Sequence, residues 1–204
     1  MDLGEAADRA DAVLLGWYPG AMGGKAISDI IFGKVSPSGK LPVTFYHQCD
    51  LAAMPDFTDY SMKGRTYRFF KGKPLYPFGF GLTYSKTQVL EASYSACKEG
   101  LKVSVKAKNS GKVFTEDVIQ IYAQNKGSKN APENPRLVAF KRIALDAGKT
   151  GSFELEISSD SLKVVNDKGE YVDEGKVVLY VGTCQPDQYS RSLSGTETIE
   201  LEVK

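Results

Sequence analysis

The sequence predicts a mainly β protein, an antiparallel β-sandwich preceded by a partial α/β segment. Three observations carry this. From about residue 86 apolar side chains recur with a period of two, the spacing of half-buried strands. Turn chemistry separates these runs at Asn109-Ser110-Gly111, Asp146-Ala147-Gly148, Asp167-Lys168-Gly169 and Glu174-Gly175. Before residue 64 a different order holds: an apolar run, a glycine-rich turn and a helical spacing follow one another, which is half of a βαβ unit.

Leu3 to Ala10 reads as a short helix. Val13-Leu14-Leu15-Gly16-Trp17-Tyr18, bounded by Pro19-Gly20, reads as a strand apolar on both faces, the signature of a buried parallel sheet. Gly23-Gly24 opens a helix in which Ala26, Ile27, Ile30 and Ile31 share a face, and Phe32-Gly33 closes it. That turn has neither G-x-G-x-x-G nor a P-loop pattern, so it gives no signal for a nucleotide phosphate. Ser36 to Lys40 is a turn. Leu41 to Tyr46 reads as an edge strand, because Pro42 cannot donate to a ladder. Residues 47–63 read as irregular. An aromatic connector follows over residues 64–85, where seven aromatic residues alternate with glycines and prolines.

Strands are then expected around Leu90–Tyr94, Leu101–Ala107, Val118–Tyr122, Leu137–Leu145, Phe153–Ile157, Val177–Val181 and Ile199–Val203. Leu101, Val103, Val105 and Ala107 alternate with Lys102, Ser104, Lys106 and Lys108, which puts Val105 on an inward face. Val118–Tyr122 is mostly apolar on both sides, as a central strand would be. About seven strands with such turns argue for a sandwich. This half contains no tryptophan, so an antibody-type core of paired cysteines against tryptophan is excluded. A fibronectin type III-like member of the immunoglobulin-like sandwiches fits better.

Composition narrows the function. Lys and Arg number 26 against 25 Asp and Glu, a net charge of +1, which offers no electrostatic footprint for nucleic acid or an anionic membrane. No apolar run approaches the roughly 20 residues that span a bilayer. The acidic start Met1-Asp2-Leu3-Gly4-Glu5 lacks the basic region of a signal peptide, and the compartment stays open. Three widely spaced cysteines, Cys49, Cys97 and Cys184, and one histidine, His47, give no zinc-ligand spacing. The cysteines read as free thiols, and a Cys97–Cys184 bridge is the alternative.

Candidate catalytic groups are weighed one by one. Asp56, Asp59, Asp117, Glu133 and Glu170 are the carboxylates that a general acid and base would be drawn from, and each reads as a solvated group on a loop or strand. His47 follows an edge strand and reads as solvated. Arg65 and Arg68 read as partners in surface or junction salt bridges. The connector aromatics read as a junction core, with stacking on sugar rings as the alternative.

Four stretches, in order, resemble glycoside hydrolase family 3, the β-glucosidase and β-xylosidase group. Gly16-Trp17-Tyr18-Pro19-Gly20 with Gly23-Gly24 and Ala26 is similar to that family's strand–turn–helix near the end of its α/β sandwich domain. Asp29-Ile30-Ile31-Phe32-Gly33 and Pro37 to Thr44 are similar to the rest of that helix and the loop after it. Tyr67-Arg68-Phe69-Phe70 through Pro77-Phe78-Gly79-Phe80-Gly81-Leu82-Thr83-Tyr84 resembles its linker. Asn109-Ser110-Gly111, Asp117 to Tyr122 and Leu137 to Arg142 resemble its C-terminal fibronectin-like domain.

The resemblance implies three parts: residues 1–63 as the tail of the α/β sandwich domain, 64–85 as the linker and 86–204 as the fibronectin type III-like sandwich. It implies a C-terminal fragment of a β-glycosidase, structural in itself, with a stand-alone carbohydrate- or protein-binding module as the alternative. For the parent enzyme it implies double displacement by an Asp nucleophile and a Glu acid/base, their carboxyls about 5 Å apart. The Ser-Asp-Trp motif of the nucleophile is absent here, since the lone tryptophan, Trp17, follows Leu15-Gly16. The acid/base Glu has no aligned counterpart. Ala21-Met22 stands where the family usually has a Glu before the paired glycines, and Lys25 where it often has Asn. The resemblance therefore implies no catalytic, cofactor or metal residue in this chain and leaves its substrate-binding residues unknown. Carbohydrate contact would come only through the parent enzyme. A strand apolar on both faces needs neighbours, so Val13, Leu15, Ile27 and Ile31 are expected to be buried between copies of the chain or against the connector, in a concentration-dependent homo-oligomer formed through residues before about 86; a missing catalytic domain is the other partner that the resemblance implies.

Overall fold

The computed structural model describes residues 3–203 of the chain. Helices α1 (Glu5–Arg9), α2 (Gly23–Ile31), α3 (Gln48–Ala52) and α4 (Thr66–Phe69) precede the strands. Then come β1 (Thr87–Cys97), β2 (Gly100–Asn109), β3 (Thr115–Lys126), β4 (Arg136–Leu145) and β5 (Thr150–Ser158). Helix α5 (Ser159–Leu162), β6 (Val164–Val165), β7 (Tyr171–Val172), β8 (Lys176–Gly182), α6 (Gln188–Ser194) and β9 (Ile199–Glu202) complete the order.

Two antiparallel sheets build the sandwich, one ordered β1-β2-β5 and the other β4-β3-β8-β9. A small β6–β7 hairpin lies outside both. All seven expected strands are present. Their alternation is what closes the core: Leu101, Val103, Val105 and Ala107 of β2 meet Ile119, Ile121 and Ala123 of β3 and Leu179 and Val181 of β8. The lysines between them on β2 face outward, where Lys102 and Lys106 reach Glu154 and Glu91. Such exposed pairs contribute little to stability, so apolar burial holds the sheets together. The glycines of the expected turns, Gly148, Gly169 and Gly175, adopt the left-handed backbone that those turns require.

Helix α6 was not expected, although its signals stand in the sequence. The Asp187 carboxylate accepts from the Ser190 amide at 2.9 Å as an N-cap, and Gly195 ends the helix in the left-handed conformation. Helix α3 occupies part of the stretch read as irregular.

Upstream of residue 64 the fold departs from expectation. Helices α1 and α2 form, but Val13–Tyr18 is not a strand and is not buried: Val13 is 48% exposed and Tyr18 97%. Trp17 sits at φ 49°, outside the extended region, and no strand among the described residues pairs with this run. Leu41–Tyr46 contracts to a single antiparallel bridge between Phe45 and Tyr76. Cys97 is exposed and Cys184 buried, and both are free thiols, which corrects the bridged alternative.

Residues 86–204 expressed alone are expected to melt in one cooperative transition, because their core is complete without the upstream part. Val105 is 2% exposed, and Val105→Asp puts a charge among Val103, Ile119 and Ile121 with no partner. Loss of the cooperative melt by circular dichroism is the expected result. Equal melting of variant and wild type would overturn the assignment of that face.

Candidate functional site

The site that the fold builds with most care is the seam between the connector and β3. Ile119, Ile121 and Ala123 of β3 point into the core, so Gln120 and Tyr122 point to the opposite face. That face is covered by the connector rather than by water, and Gln120 and Tyr122 are 1% and 0% exposed. The Gln120 amide donates to the carbonyls of Gly79 and Thr183, each at 2.9 Å. Its Oε1 accepts from the Tyr122 hydroxyl at 2.6 Å. Burial pushes the Tyr122 phenol well above its ordinary range, so it stays protonated and remains a donor. Gly79 adopts φ 76°, and a side chain there would collide with Gln120 and Tyr122. The connector glycine is thus required by the strand beneath it.

A second anchor lies one turn of the chain away. Lys40 donates to the Gly81 carbonyl at 2.7 Å and pairs with the Asp117 carboxylate at 2.9 Å. Their side chains are only 12% and 5% exposed. Leu41 and Gly79 exchange backbone bonds with this part of the connector: the Leu41 amide donates to Phe80 O and the Gly79 amide to Leu41 O. Gln185 donates to Phe78 O, and Asn134 donates to the carbonyls of Tyr67 and Phe70. Loop 36–45, connector and sandwich are therefore laced into one hydrogen-bonded seam.

The aromatics fill that seam. Tyr67 stacks on Phe78 at 4.1 Å between ring centroids, and Tyr76 stacks on Phe80 at 5.6 Å. Tyr67 also meets Tyr122 edge-on, Tyr46 meets Phe70, and Phe45 bridges Trp17 and Tyr76. Tyr67, Phe70, Tyr76, Phe78 and Phe80 thus pack against other rings, which favours the junction-core reading for them, while Tyr84 is exposed.

The candidate carboxylates are each engaged by a partner of their own. Asp56 is held below its ordinary pKa, chiefly by the Thr58 hydroxyl, and Asp59 chiefly by the Ser61 amide. Both shifts run opposite to what a general acid needs. Glu133 pairs with Lys71 at 2.8 Å and Glu170 accepts from Asn166, both on the surface. His47 is exposed at the start of α3. Asp117 overturns its solvated reading, because Lys40, distant in sequence, follows it into the seam. Arg65 is also corrected: it donates to the carbonyls of Pro55 and Asp56 and forms no salt bridge among the described residues. Arg68 lies over the Tyr67 ring, likewise without a carboxylate partner. Gln120 and Tyr122 were missed as seam residues. Their signal was a strand apolar on both sides with one glutamine in its middle.

Upstream of the seam the surface is open. Trp17, Tyr18, Phe32, Phe57 and Tyr60 are all exposed, Phe57 at 82% and Tyr60 at 86%. Val13 and Ile31 are exposed as well, and Leu15 and Ile27 half-buried. The sandwich carries far fewer such residues.

A fibronectin type III-like sandwich, laced through an aromatic connector to an upstream segment of short helices and loops, matches the C-terminal portion of a glycoside hydrolase. Residues 1–84 match the glycosyl hydrolase family 3 C-terminal domain and residues 117–185 the fibronectin type III-like domain. The chain is 36% identical over 193 residues to a xylan 1,4-beta-xylosidase of Xylanibacter ruminicola, covering 93% of this chain and 22% of that protein. It is 33% identical to a beta-xylosidase of Formosa agariphila, over 97% of this chain and 28% of the relative. The crystal structure of a beta-glucosidase from Listeria innocua in complex with isofagomine superimposes with a TM-score of 0.77 at 28% identity, over 100% of this chain and 29% of that one. The chain belongs to glycoside hydrolase family 3 and spans about a quarter of the length of these relatives.

Two outcomes test the seam. Lys40→Met leaves Asp117 buried without its cation and should lower unfolding stability by about 3 kcal/mol, read by urea denaturation, with Asp117→Asn in the same chain restoring part of the loss. Burial also raises the Cys184 thiol pKa, and the thiolate is the reactive form. Iodoacetamide should therefore label Cys49 and Cys97 in the native protein and Cys184 only on unfolding, as read by peptide mass spectrometry.

Proposed function

We propose that this chain is the C-terminal part of a β-glycosidase acting on β-linked xylosides or glucosides, and that its own role is structural. Residues 1–63 end the α/β domain, 64–85 link it, and 86–204 form the sandwich that braces it. The observation that carries this reading is the contrast between a closed sandwich and an open upstream face. An upstream segment with this many exposed aromatics suits a surface that further chain covers, and the relatives contain roughly three times as much further chain to cover it. The remainder of a catalytic polypeptide is the proposed occupant, supplying the nucleophile and the acid/base for double displacement. The lowered pKa values of Asp56 and Asp59 and the pairing of Glu133 with Lys71 argue against any of the three as the acid/base.

The purified chain is expected to give no turnover of aryl β-xyloside or aryl β-glucoside above a buffer blank. Turnover abolished by Asp56→Asn, Asp59→Asn or Glu133→Gln would defeat the structural role. Light scattering over a wide dilution range tests the occupant. A chain that stays monomeric alone and associates with a catalytic portion supplied separately supports the proposal. Concentration-dependent self-association through residues before 86 would instead favour a second copy as the occupant.

A further inference from the structure

The β6–β7 hairpin, the start of β4 and the loop at residues 130–132 enclose a groove of about 530 Å³ at the end of the connector helix α4. Arg68, Arg136, Lys163, Asp160, Val165 and Tyr171 contribute to its lining. Its charges do not balance. Asp160 is the one carboxylate among the lining residues, and Lys163 holds it at 2.9 Å. Arg136 is half-buried yet meets only neutral acceptors: Asn125 Oδ1 at 2.6 Å, and the carbonyls of Ser161 and Lys163, each at 2.9 Å. Arg68 is exposed, rests over the Tyr67 ring and pairs with no carboxylate among the described residues. Burial first and the Arg68 charge second hold Arg136 below its ordinary pKa range. Two guanidinium groups thus share one groove without an anion between them.

The wall beside them is apolar. Tyr171 is 66% exposed and Val165 49%, both on the hairpin. Tyr171 stacks on no other ring among the described residues, whereas Tyr67 and Tyr76 of the connector are stacked on Phe78 and Phe80. A guanidinium fork matches a carboxylate, and an aromatic face packs against the apolar face of a sugar ring. A neutral sugar would leave both charges unanswered. A bare inorganic anion would leave the hairpin wall unused.

We propose that this groove binds a carboxylate-bearing saccharide, a uronic-acid-substituted oligosaccharide, with Arg68 donating to the carboxylate, the Arg136 charge beside it and Tyr171 against the ring. The saccharide half of this assignment rests on the glycosidase reading above; the anion half rests on the two arginines alone.

Calorimetric titration of the full chain decides it, with three ligands: a glucuronic-acid-substituted xylo-oligosaccharide, the unsubstituted oligosaccharide of equal length, and sodium sulfate. The acidic saccharide is expected to bind at least about tenfold more tightly than either of the others, and less tightly as salt rises. Arg68→Gln should weaken it by about tenfold, and Tyr171→Ser should weaken the acidic saccharide without changing sulfate. Both side chains are exposed, so neither variant should shift the melting temperature. Arg136→Gln strands the carbonyls of Ser161 and Lys163, and the two exposed variants therefore carry the decision. Equal affinity for acidic and neutral saccharide, or affinity untouched by Arg68→Gln, overturns the proposal. Sulfate binding as tightly as the acidic saccharide overturns its saccharide half. Turnover of a neutral aryl β-xyloside by the full-length enzyme is read separately, so loss of the glycosidase reading and loss of this site give different results.

Discussion

Strand β3 is buried on both faces, and the rest of the molecule is arranged around that constraint. One face gives Ile119, Ile121 and Ala123 to the sandwich core. The other gives Gln120 and Tyr122 to the connector. A buried glutamine with unmade hydrogen bonds would be costly. Here its amide and its carbonyl oxygen are both engaged, and two of the three partners are backbone or side-chain groups that exist only where the connector or β8's end is in place. The Gln120 amide is fully bonded only when Gly79 of the connector is in place, and that makes the connector's position specific rather than merely favourable.

The Lys40–Asp117 pair acts in the same sense. Burying two charges is expensive, and a pair of apolar residues could fill the space with equal or greater stability. What the pair adds is register. Lys40 also donates to Gly81 O, and Gly81 has no room for a side chain because Gly39 O lies against it. A loop, a connector residue and a strand residue are thereby fixed by one ammonium group. Any slip of the connector along β3 would separate Lys40 from either Asp117 or Gly81 and leave a charge unpaired in a site with almost no water. An apolar pair would tolerate that slip.

The sandwich was legible in the sequence because its physics is local: inward and outward side chains alternate on β2, and glycines supply the turns between strands. Helix α2 was legible from its spacing and bounding glycines for the same reason. The seam was legible only in outline. Aromatic and glycine content marked residues 64–85 as a junction, yet nothing near Asp117 announces that Lys40 will reach it across the fold. The loop carbonyls of Pro55 and Asp56 likewise gave no sign that Arg65 would bind them in place of a carboxylate. Val13–Tyr18 failed in the opposite way. Its apolar pattern is that of a buried strand, but pattern specifies a face to be covered and not what covers it.

That failure is informative about the division of labour within the chain. A strand becomes a strand by pairing, and Trp17 in a left-handed conformation cannot pair within a ladder. The sandwich closes its own hydrogen-bond ladders and core, whereas the upstream segment holds to the rest chiefly through loop 36–45 and the rings around Phe45 and Tyr76. Local stability must fall steeply from β3 toward residue 10, since buried apolar contacts and backbone ladders both thin out in that direction. The seam at β3 is where this gradient begins. It fixes the last anchored residues of the α/β segment against a rigid body, so that the open face beyond is presented in one orientation. A surface held that way loses less freedom when it is covered than a free segment would, which is the physical advantage of ending an α/β domain on a laced connector.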